Sequence, residues 1–499
     1  MSREPSGVRQ SISRTPPSTE DRRYEMVVGL EVHVQLRTRT KAFCRCSTSF
    51  GDEPNTNVCP VCLALPGALP VLNEHAVELA VRAALALGCT VHDTSVFARK
   101  NYFYPDLPKG YQISQFDKPL ATKGKLEFSV GGDGRRAAVG ITRIHMEEDA
   151  GRSLHDRFPG ATAIDLNRAG VPLIEIVSEP DMRSSAEAGA CLRALKQILE
   201  YARISDVSME EGSFRVDANV SARPHGQKTL GQRTEVKNMN SFSGVERALE
   251  VEFARQCAAL DRGERIEQQT MLWEAGTGQV RPARAKEGSH DYRYFPEPDL
   301  PPLVLAPAFL RRVKESIPEL PAERRARFAS EFQLPAYDVE VLTASVAVAD
   351  YFERVAEGAH DPKVAANWVM GEVLAALKSS GRAIDEFPVR PADLTSLLKL
   401  LASGTVSHTA AKQIFVVMAT SGGNPAEIAQ RQGLLQVSDD AQLHRWLDEV
   451  IAEHPKEADR LAKGEQKLQG VLIGAVMKKS KGSADPRRLG QLLAERFGT

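Results

Sequence analysis

Four cysteines in one loop have the spacing of a metal site. Cys44 and Cys46 precede Cys59 and Cys62 in a C-x-C-x12-C-x2-C pattern rich in glycine, proline and asparagine. Two such short pairs can wrap a tetrahedral ion, and four thiolates leave no coordination position open for chemistry. We therefore predict a structural Zn²⁺ rather than disulfides. The alternatives are four unligated thiols, or a redox pair at Cys59 and Cys62, although no thioredoxin-like βαβ pattern surrounds that pair.

Acidic and imidazole groups on separate predicted strands form a second candidate site. Glu175 lies inside the apolar run 171–177, where a charge is costly unless it is paired or binds a cation. Three adjacent acids at 147–149 would repel one another unless a metal neutralised them. Other strands add Glu31, His33 and Asp217. Such a set suits Mg²⁺ or Mn²⁺ better than a second zinc, whereas the alternative for Glu175 is an ordinary charge on an open strand face.

Three further segments have the composition of nucleic-acid contacts. Segments 99–115 and 290–299 interleave basic and aromatic residues, which can stack unpaired bases and neutralise phosphate. The alternative is a proline-stiffened loop whose rings pack on the core. Near the end of the chain, a basic run is the best local candidate for a phosphate backbone, unless it is only a solvated helix face. Its residues are Lys478, Lys479, Lys481, Arg487 and Arg488.

The hydrophobic periodicity indicates which elements position these residues. Alternation over 30–36 and 214–222 predicts half-buried strands with polar faces, whereas after residue 300 nearly everything repeats at the helical period. Ser184 and Ser243, each followed three residues later by glutamate, are predicted to start helices. We predict an α+β fold in which a mainly antiparallel sheet forms a cradle with helices. The predicted parts are a disordered tail 1–23, a cradle 24–300 with the zinc loop, a helical domain 301–403 and a helical tail domain 404–499.

Composition and missing motifs exclude several classes of protein. The 499 residues carry a formal net charge of -1, so any nucleic-acid contact must be local. No secretory signal or long apolar run is evident, and we expect a cytoplasmic protein without a membrane span. The chain also lacks the G-x4-G-K-[ST] loop, G-x-G-x-x-G, G-x-S-x-G and H-E-x-x-H motifs, which disfavours the common nucleotide and hydrolase scaffolds.

Together these segments resemble one family, the B subunits of the aspartyl/glutamyl-tRNA amidotransferase. The resemblance covers nearly everything after the N-terminal tail, and several of its motifs exceed ten residues. The matching segments are 29–33, 54–56, 65–73, 99–115, 145–151, 165–181, 215–221, 235–238, 290–300, 474–478, 481–482 and 484–486. One departure is Ala64, where the family often has a glycine after the second cysteine pair.

The resemblance implies a two-step reaction on tRNA misacylated with Asp or Glu. ATP phosphorylates the side-chain carboxylate, and ammonia then displaces phosphate to form the amide. By resemblance, His33, Glu175 and Glu148, or its neighbour Glu147, are the Mg²⁺ ligands, while Glu31 and Asp217 orient water, a second Mg²⁺ or ammonia. The residues expected to bind ATP or the aminoacyl end are Lys100, Asn101, Tyr102, Lys109, Tyr111, Lys237 and Arg293.

The same resemblance implies partner proteins. Ammonium cannot attack, and the sequence shows neither a glutaminase cysteine triad nor an amidase Ser/Lys arrangement. An amidase (glutaminase), the A subunit of the same complex, would therefore release ammonia from glutamine, and a small C subunit would clamp the pair. Two competing functions remain, a metal-dependent RNA nuclease or phosphatase and a non-catalytic zinc-containing protein that only binds tRNA.

Overall fold

A computed structural model describes residues 23–131, 134–283, 292–436, 439–480 and 482–497. The predicted tail, except Arg23, and Lys481 of the basic run therefore lie outside the described residues. The chain divides into two compact units, Met1–Leu320 and Pro321–Thr499. The division into a cradle, a helical domain and a tail domain stays a prediction.

The first unit is built mainly from strands. Its strands are β1 (Tyr24–Gln35), β2 (Thr90–Val91), β3 (Thr94–Ser95), β4 (Phe97–Asn101), β5 (Tyr111–Gln115), β6 (Ala121–Val130), β7 (Arg135–Glu148), β8 (Arg152–Phe158), β9 (Ala161–Asp165), β10 (Pro172–Ser178), β11 (Phe214–Pro224), β12 (Thr234–Met239), β13 (Thr270–Glu274), β14 (Gln279–Pro282), β15 (Phe295–Pro296) and β16 (Leu303–Val304). Its helices are α1 (Glu74–Ala86), α2 (Ser185–Tyr201), α3 (Phe242–Asp261) and α4 (Pro307–Glu315).

One large sheet carries this unit. Its nine strands follow the order β14-β13-β12-β11-β1-β10-β7-β6-β2. All neighbours pair antiparallel except β12 and β13, which are parallel. The predicted α+β class with a mainly antiparallel sheet is therefore confirmed.

The two faces of the sheet differ because side chains alternate along each strand. On β1, the buried residues Leu30, Val32 and Val34 belong to the main core, together with Ile174 and Ile176 of β10. Buried residues of α1, α2 and α3 join the same core, so these helices cover that face. The opposite face of the central strands is left with the polar residues of β1, β7 and β10.

A small sheet, in the order β15-β4-β5, contributes side chains to that polar face. Hydrogen bonds from Gln112 and Ser114 of β5 end on Glu147 of β7. Two other short pairings, β16 with β3 and β8 with β9, complete the strand set.

Of the two predicted helix starts, the one at Ser184 agrees with the structure and the one at Ser243 does not. Ser184 caps α2, where its side chain accepts from the backbone N–H of Glu187. The prediction for Ser243 is wrong by two residues, because α3 begins at Phe242 and Ser241 is its cap. The Ser241 hydroxyl accepts from the N–H of Gly244 at 3.0 Å, so an earlier serine in the same short run does the capping.

Helices make up the second unit, as the periodicity predicts. They are α5 (Pro321–Glu331), α6 (Ala336–Leu342), α7 (Val346–Gly358), α8 (Pro362–Trp368), a π-helical turn (Val369–Val373), α9 (Leu374–Ser380), a 3₁₀ turn (Ile384–Glu386), α10 (Pro391–Ala402), α11 (His408–Ser421), α12 (Pro425–Arg431), α13 (Asp440–Glu453), α14 (Pro455–Ala462), α15 (Lys467–Lys479) and α16 (Pro486–Phe497). Among the described residues, none of the helices has the length and apolarity needed to span a bilayer.

Candidate functional site

Strand register brings charged side chains of four strands into one row on the polar face. His33 of β1 is paired with Glu175 of β10, and Glu175 is paired with His145 of β7. On its other side His33 is paired with Arg215 of β11. Directly paired residues of antiparallel strands point to the same face, so the row is a consequence of register alone.

Glu147 extends the row by one step along β7. It lies two residues beyond His145 and so shares its face. His33 Nε2 lies 3.3 Å from Glu175 Oε2, and His145 Nε2 lies 3.3 Å from Glu147 Oε1 and 3.5 Å from Glu175 Oε2. One ligand atom each of His33, Glu147 and Glu175 lie within 4.8 Å of one another. This arrangement brings together an imidazole and two carboxylates that could hold a metal.

The two carboxylates are kept ionised although they are buried. Burial by itself would raise the pKa of Glu175, but hydrogen bonds from His145 and His33 lower it well below its usual range. For Glu147, burial is likewise outweighed by Lys100 and His145, and its pKa is also lowered. Burial would lower the pKa of His145, yet its two carboxylate partners raise it to about 9. The group is therefore prepared to present anionic oxygens.

The structure places Glu148 elsewhere. Its carboxylate pairs with Lys109 and accepts a hydrogen bond from the backbone N–H of Ile113 at 2.9 Å. The physical reason is strand alternation, because Glu147 and Glu148 are consecutive residues on β7 and point to opposite sides. Of the two acids named from the sequence, Glu147 joins His33 and Glu175.

Lys100 and two polar side chains surround Glu147. Ser114 donates to Glu147 Oε1 at 2.6 Å, and Gln112 donates to Oε2 at 3.0 Å. Lys100 Nζ lies 3.8 Å from Glu147 Oε1. Although burial opposes its charge, Glu147 raises the pKa of Lys100, which therefore stays a cation beside the group.

A second acidic group lies on the same face at β1, β11 and β12. Glu31 is paired in register with Asp217 and accepts a hydrogen bond from Asn219 at 3.0 Å. Lys237 Nζ binds Asp217 at 2.6 Å and Glu235 at 3.0 Å. Burial, and then the charge of Glu175, raise the pKa of Glu31. Lys237 is thus already engaged by two carboxylates, and a phosphate would have to share it with them.

Asn101 and Tyr102, two of the residues predicted to bind ATP or the aminoacyl end, contact the segment around Arg293. Asn101 donates to the carbonyl oxygens of Arg99, Tyr292 and Arg293, which ties β4 to the segment that contains Arg293. Tyr102 packs edge-to-face on Tyr292 with ring centroids 6.0 Å apart. These contacts shape the site wall.

Two cations, Arg99 and Lys109, contact the ring of Tyr111. The guanidinium of Arg99 lies 4.2 Å from the centroid of the Tyr111 ring, and Lys109 Nζ lies 5.6 Å from it. Arg99 is itself held by Glu297, which accepts two hydrogen bonds of 2.8 Å. Nearby, Phe116 and Tyr294 form a parallel stack with a centroid distance of 4.1 Å. Segment 99–115 and the described part of segment 290–299 therefore lie side by side, and together they form one wall of the site.

Sequence reasoning left two residues of the site, His145 and Arg215, without a role. His145 bridges the two carboxylates, and its Nδ1 is buried without a hydrogen-bond partner among the described residues. Asp149 accepts from Gln35 Nε2 at 2.7 Å and lies 3.0 Å from Arg215. The alternation of His145 and Glu147 with apolar neighbours on β7 is the signal that could have revealed His145.

The cysteine loop forms a compact thiol cluster. The Sγ atoms of Cys44, Cys46, Cys59 and Cys62 lie within 4.8 Å of one another. Two of the separations are 3.6 Å and 3.8 Å, close to the edge of about 3.8 Å in a tetrahedron with metal–sulfur bonds of about 2.3 Å. This donor set could hold a metal ion.

Ala64, just after the cysteines, has a φ of +56°, a conformation that glycine adopts without strain. The residue that departs from the family pattern therefore occupies a left-handed position. Its N–H still donates to the carbonyl oxygen of Val61 at 3.1 Å, so the turn is formed despite the side chain.

The basic run at the end of the chain is partly neutralised within the second unit. Lys479 binds Glu449 at 2.7 Å and Glu453 at 2.9 Å, and Arg488 binds Asp440 at 2.5 Å. Lys478 and Arg487 are exposed and make no ion pair with the part of the chain that the structure describes. The cations left for a phosphate backbone are therefore fewer than the sequence suggests.

Comparisons with known proteins cover nearly the whole chain. Residues 26–311 match the family described as GatB/GatE catalytic domain, and residues 350–497 match the GatB domain. The chain is 51% identical to the B subunit of the aspartyl/glutamyl-tRNA(Asn/Gln) amidotransferase of Trichlorobacter lovleyi, covering 95% of this chain and 99% of that one. It is 52% identical to the protein of the same name from Moorella thermoacetica (95% and 100%) and 50% identical to that from Thermosynechococcus vestitus (97% and 98%).

Proposed function

Because this chain belongs to the family of aspartyl/glutamyl-tRNA amidotransferase B subunits, we propose that it catalyses the amidation of misacylated tRNA. In the first step, the γ-phosphoryl group of ATP is transferred to a side-chain carboxylate oxygen of Asp-tRNA(Asn) or Glu-tRNA(Gln), which gives ADP and an acyl phosphate. In the second, ammonia attacks the acyl carbon and inorganic phosphate leaves, which gives Asn-tRNA or Gln-tRNA. The observation that supports this proposal is the convergence of His33, Glu147 and Glu175.

A divalent cation fits this group. Octahedral Mg²⁺ with bonds of about 2.1 Å has ligand atoms about 3.0 to 4.2 Å apart, and the 3.3 Å between His33 Nε2 and Glu175 Oε2 falls in that range. Both acids are ionised, as ligands must be. We assign His33, Glu147 and Glu175 as its ligands. When bound, Mg²⁺ would neutralise phosphate charge and align the phosphoryl group with the carboxylate.

The remaining side chains of the face supply charge and position. Lys100, a cation beside Glu147, is placed to meet a phosphate oxygen at the carboxylate cluster. Glu31 and Asp217 form a second acidic group, which orients water, incoming ammonia or a second Mg²⁺. The pKa of Glu31 is raised and the pKa values of Glu147 and Glu175 are lowered, so Glu31 is a better proton acceptor than either of them.

Ammonia must come from another protein. Ammonium is protonated at neutral pH and has no lone pair, so the nucleophile has to be delivered without contact with water. We infer that an amidase, the A subunit, hydrolyses glutamine and that a small C subunit joins the two into one complex. The reaction on tRNA fits a cytoplasmic location.

We assign Zn²⁺ to the four cysteines, in a structural role. Four thiolates complete a tetrahedral shell, so this ion would hold the loop and take no part in phosphoryl transfer. The stacked rings of Phe116 and Tyr294, beside Lys100 and Tyr292, form a wall suited to an unpaired base of the tRNA end.

The test is reconstitution with the partner proteins, glutamine, ATP and each misacylated tRNA in turn. Glu175→Gln should abolish ATP-dependent amidation, while glutaminase activity of the partner persists at its basal rate. Glu127→Gln is the matched control, since Glu127 is exposed on β6 and its ion pairs are with the surface cations Lys125 and Arg136. Normal amidation by Glu175→Gln refutes the proposal. RNA cleavage without ATP would instead support a nuclease. Unchanged tRNA affinity together with unchanged turnover in the variant complex would support a role in tRNA binding alone.

A further inference from the structure

The first unit contains a cavity of ≈ 890 Å³ with an unusual lining. It is distinct from the site formed by His33, Glu147 and Glu175, which we call the carboxylate site. Four arginines contribute to it, Arg37, Arg39, Arg82 and Arg203, together with five serine or threonine residues. Among the described residues, the lining contains no aspartate or glutamate, although Glu78 pairs with the lining residues His75 and Arg82. We call this cavity the arginine pocket. Cations and hydroxyl donors without an acid are the groups that bind phosphate.

Three of these cations are available. Arg37, Arg39 and Arg203 are exposed, and none of them forms an ion pair with the described part of the chain. Arg82 binds Glu78 at 2.8 Å, but its buried Nε has no hydrogen-bond partner among the described residues. A guanidinium presents a planar fork of donors that matches phosphate oxygens. Arg37, Arg39 and Arg203 have no carboxylate partner among the described residues, so their like charges repel one another, and a bound polyanion would relieve that repulsion.

Backbone hydrogen bonds hold the pocket together. The N–H of Arg37 donates to the carbonyl oxygen of Ile204 at 2.8 Å, which brings Arg37 next to Arg203. On the other wall, Thr40 forms a bridge with Ser47, and the N–H of Lys41 donates to the carbonyl oxygen of Cys46 at 3.0 Å. The cysteine loop is therefore one wall of the arginine pocket, and the fold of the loop determines the shape of that wall.

The position of the pocket relates it to the carboxylate site. Arg37 lies four residues after His33 on the chain that continues β1, so their Cα atoms are at most about 14 Å apart. That is the scale of a few nucleotides. The volume is in the range of pockets for extended organic ligands and far exceeds the need of a single inorganic phosphate.

We propose that the arginine pocket binds backbone phosphates of the tRNA acceptor end, a few nucleotides before the aminoacylated terminus at the carboxylate site. The inference rests on the proposed function. It assigns to the cysteine loop a task in RNA binding, namely forming a wall for the phosphates. Phosphate contacts of this kind fix the register of an RNA strand without reading its bases.

The test uses the full-length chain and an RNA hairpin that carries the acceptor stem and the single-stranded 3′ end. The variant combines Arg37→Gln, Arg39→Gln and Arg203→Gln, which replace exposed cations by neutral polar side chains. Removal of one single-strand phosphate contact should reduce the slope of log affinity against log salt by about 0.7, so removal of three should reduce it by about two units. At 0.1 M salt the expected decrease in affinity is therefore up to about 100-fold.

The matched control is Arg265→Gln with Arg382→Gln, two exposed arginines outside the pocket that make no ion pair with the described residues. An unchanged slope in the triple variant, or the same decrease in the control, would overturn the inference. Inorganic phosphate, titrated calorimetrically into the intact chain, tests for a small anion. Saturable phosphate binding that disappears in the triple variant, with the RNA slope unchanged, would also overturn the RNA assignment.

Two outcomes in the assembled complex complete the test. If the triple variant binds RNA normally but no longer assembles with its partner proteins, the pocket holds an acidic protein segment and the inference is wrong. In the amidation assay, the triple variant should raise KM for aminoacyl-tRNA and keep kcat. RNA binding requires no turnover, so a failure of amidation by the intact complex would refute the proposed function and leave the salt slopes readable.

Discussion

Glu147 and Glu148 are consecutive acids with different surroundings. Exchanging each for glutamine distinguishes an effect on the amidation rate from an effect on the free energy of unfolding. Glu147 lies in the group with His33 and Glu175, whereas Glu148 pairs with Lys109 behind it. We predict that Glu147→Gln lowers amidation by about 10²–10³-fold and that Glu148→Gln keeps most of it. The sequence alone offers no means of telling these two variants apart.

The magnitudes follow from the contacts. Both glutamates are almost fully buried, and each variant leaves a lysine that is only 20% or 11% exposed without its carboxylate. Each change should therefore cost about 1–3 kcal/mol of unfolding free energy. Only Glu147→Gln removes a proposed metal ligand, which should lower kcat by about 10²–10³-fold, or about 3–4 kcal/mol of transition-state stabilisation.

The assay measures amidation against Mg²⁺ concentration, with urea unfolding as the measure of stability. Glu147→Gln should need more Mg²⁺ for its residual activity, while Glu148→Gln should have the Mg²⁺ dependence of the intact chain. Equal losses of activity in the two variants would refute the assignment, because Glu147 would then contribute no more to the reaction than Glu148 does. A larger effect of Glu148→Gln would show that the metal lies on the other side of β7.

Four other predictions concern separate parts of the molecule. The purified chain should contain about one Zn²⁺, and Cys59→Ser should lower zinc content and stability together; a fully stable, zinc-free variant would contradict the structural role. Ala64→Gly should raise the unfolding free energy by about 0.5–1 kcal/mol, measured by urea denaturation, because it relieves a left-handed backbone position. In the tail, Lys478→Gln should reduce the salt slope of tRNA binding by up to about one unit, whereas Arg488→Gln should leave it unchanged because Asp440 already neutralises Arg488. Burial raises the pKa of Cys89 to about 12, so the folded chain should leave this thiol unalkylated at pH 8, and rapid modification without unfolding would contradict the burial.

The sequence by itself determined the local elements and the family. Strict alternation in β1 and β11 predicted strands with one polar face, and the cysteine spacing predicted the thiol cluster. These patterns are readable because each depends on neighbours along the chain. The capping serine of α3 was misplaced for the same local reason, since two serines two residues apart can each offer an oxygen to the first turn.

Tertiary structure alone decided which charged residues meet. The pairing of β10 between β1 and β7, strands far apart in sequence, brings Glu175 against both His33 and His145. It also decided that Lys479 and Arg488 are neutralised by acids of α13, and that Arg37 and Arg203 share a pocket. These facts depend on strand order and register between distant segments, and periodicity along one segment carries no record of the segment beside it.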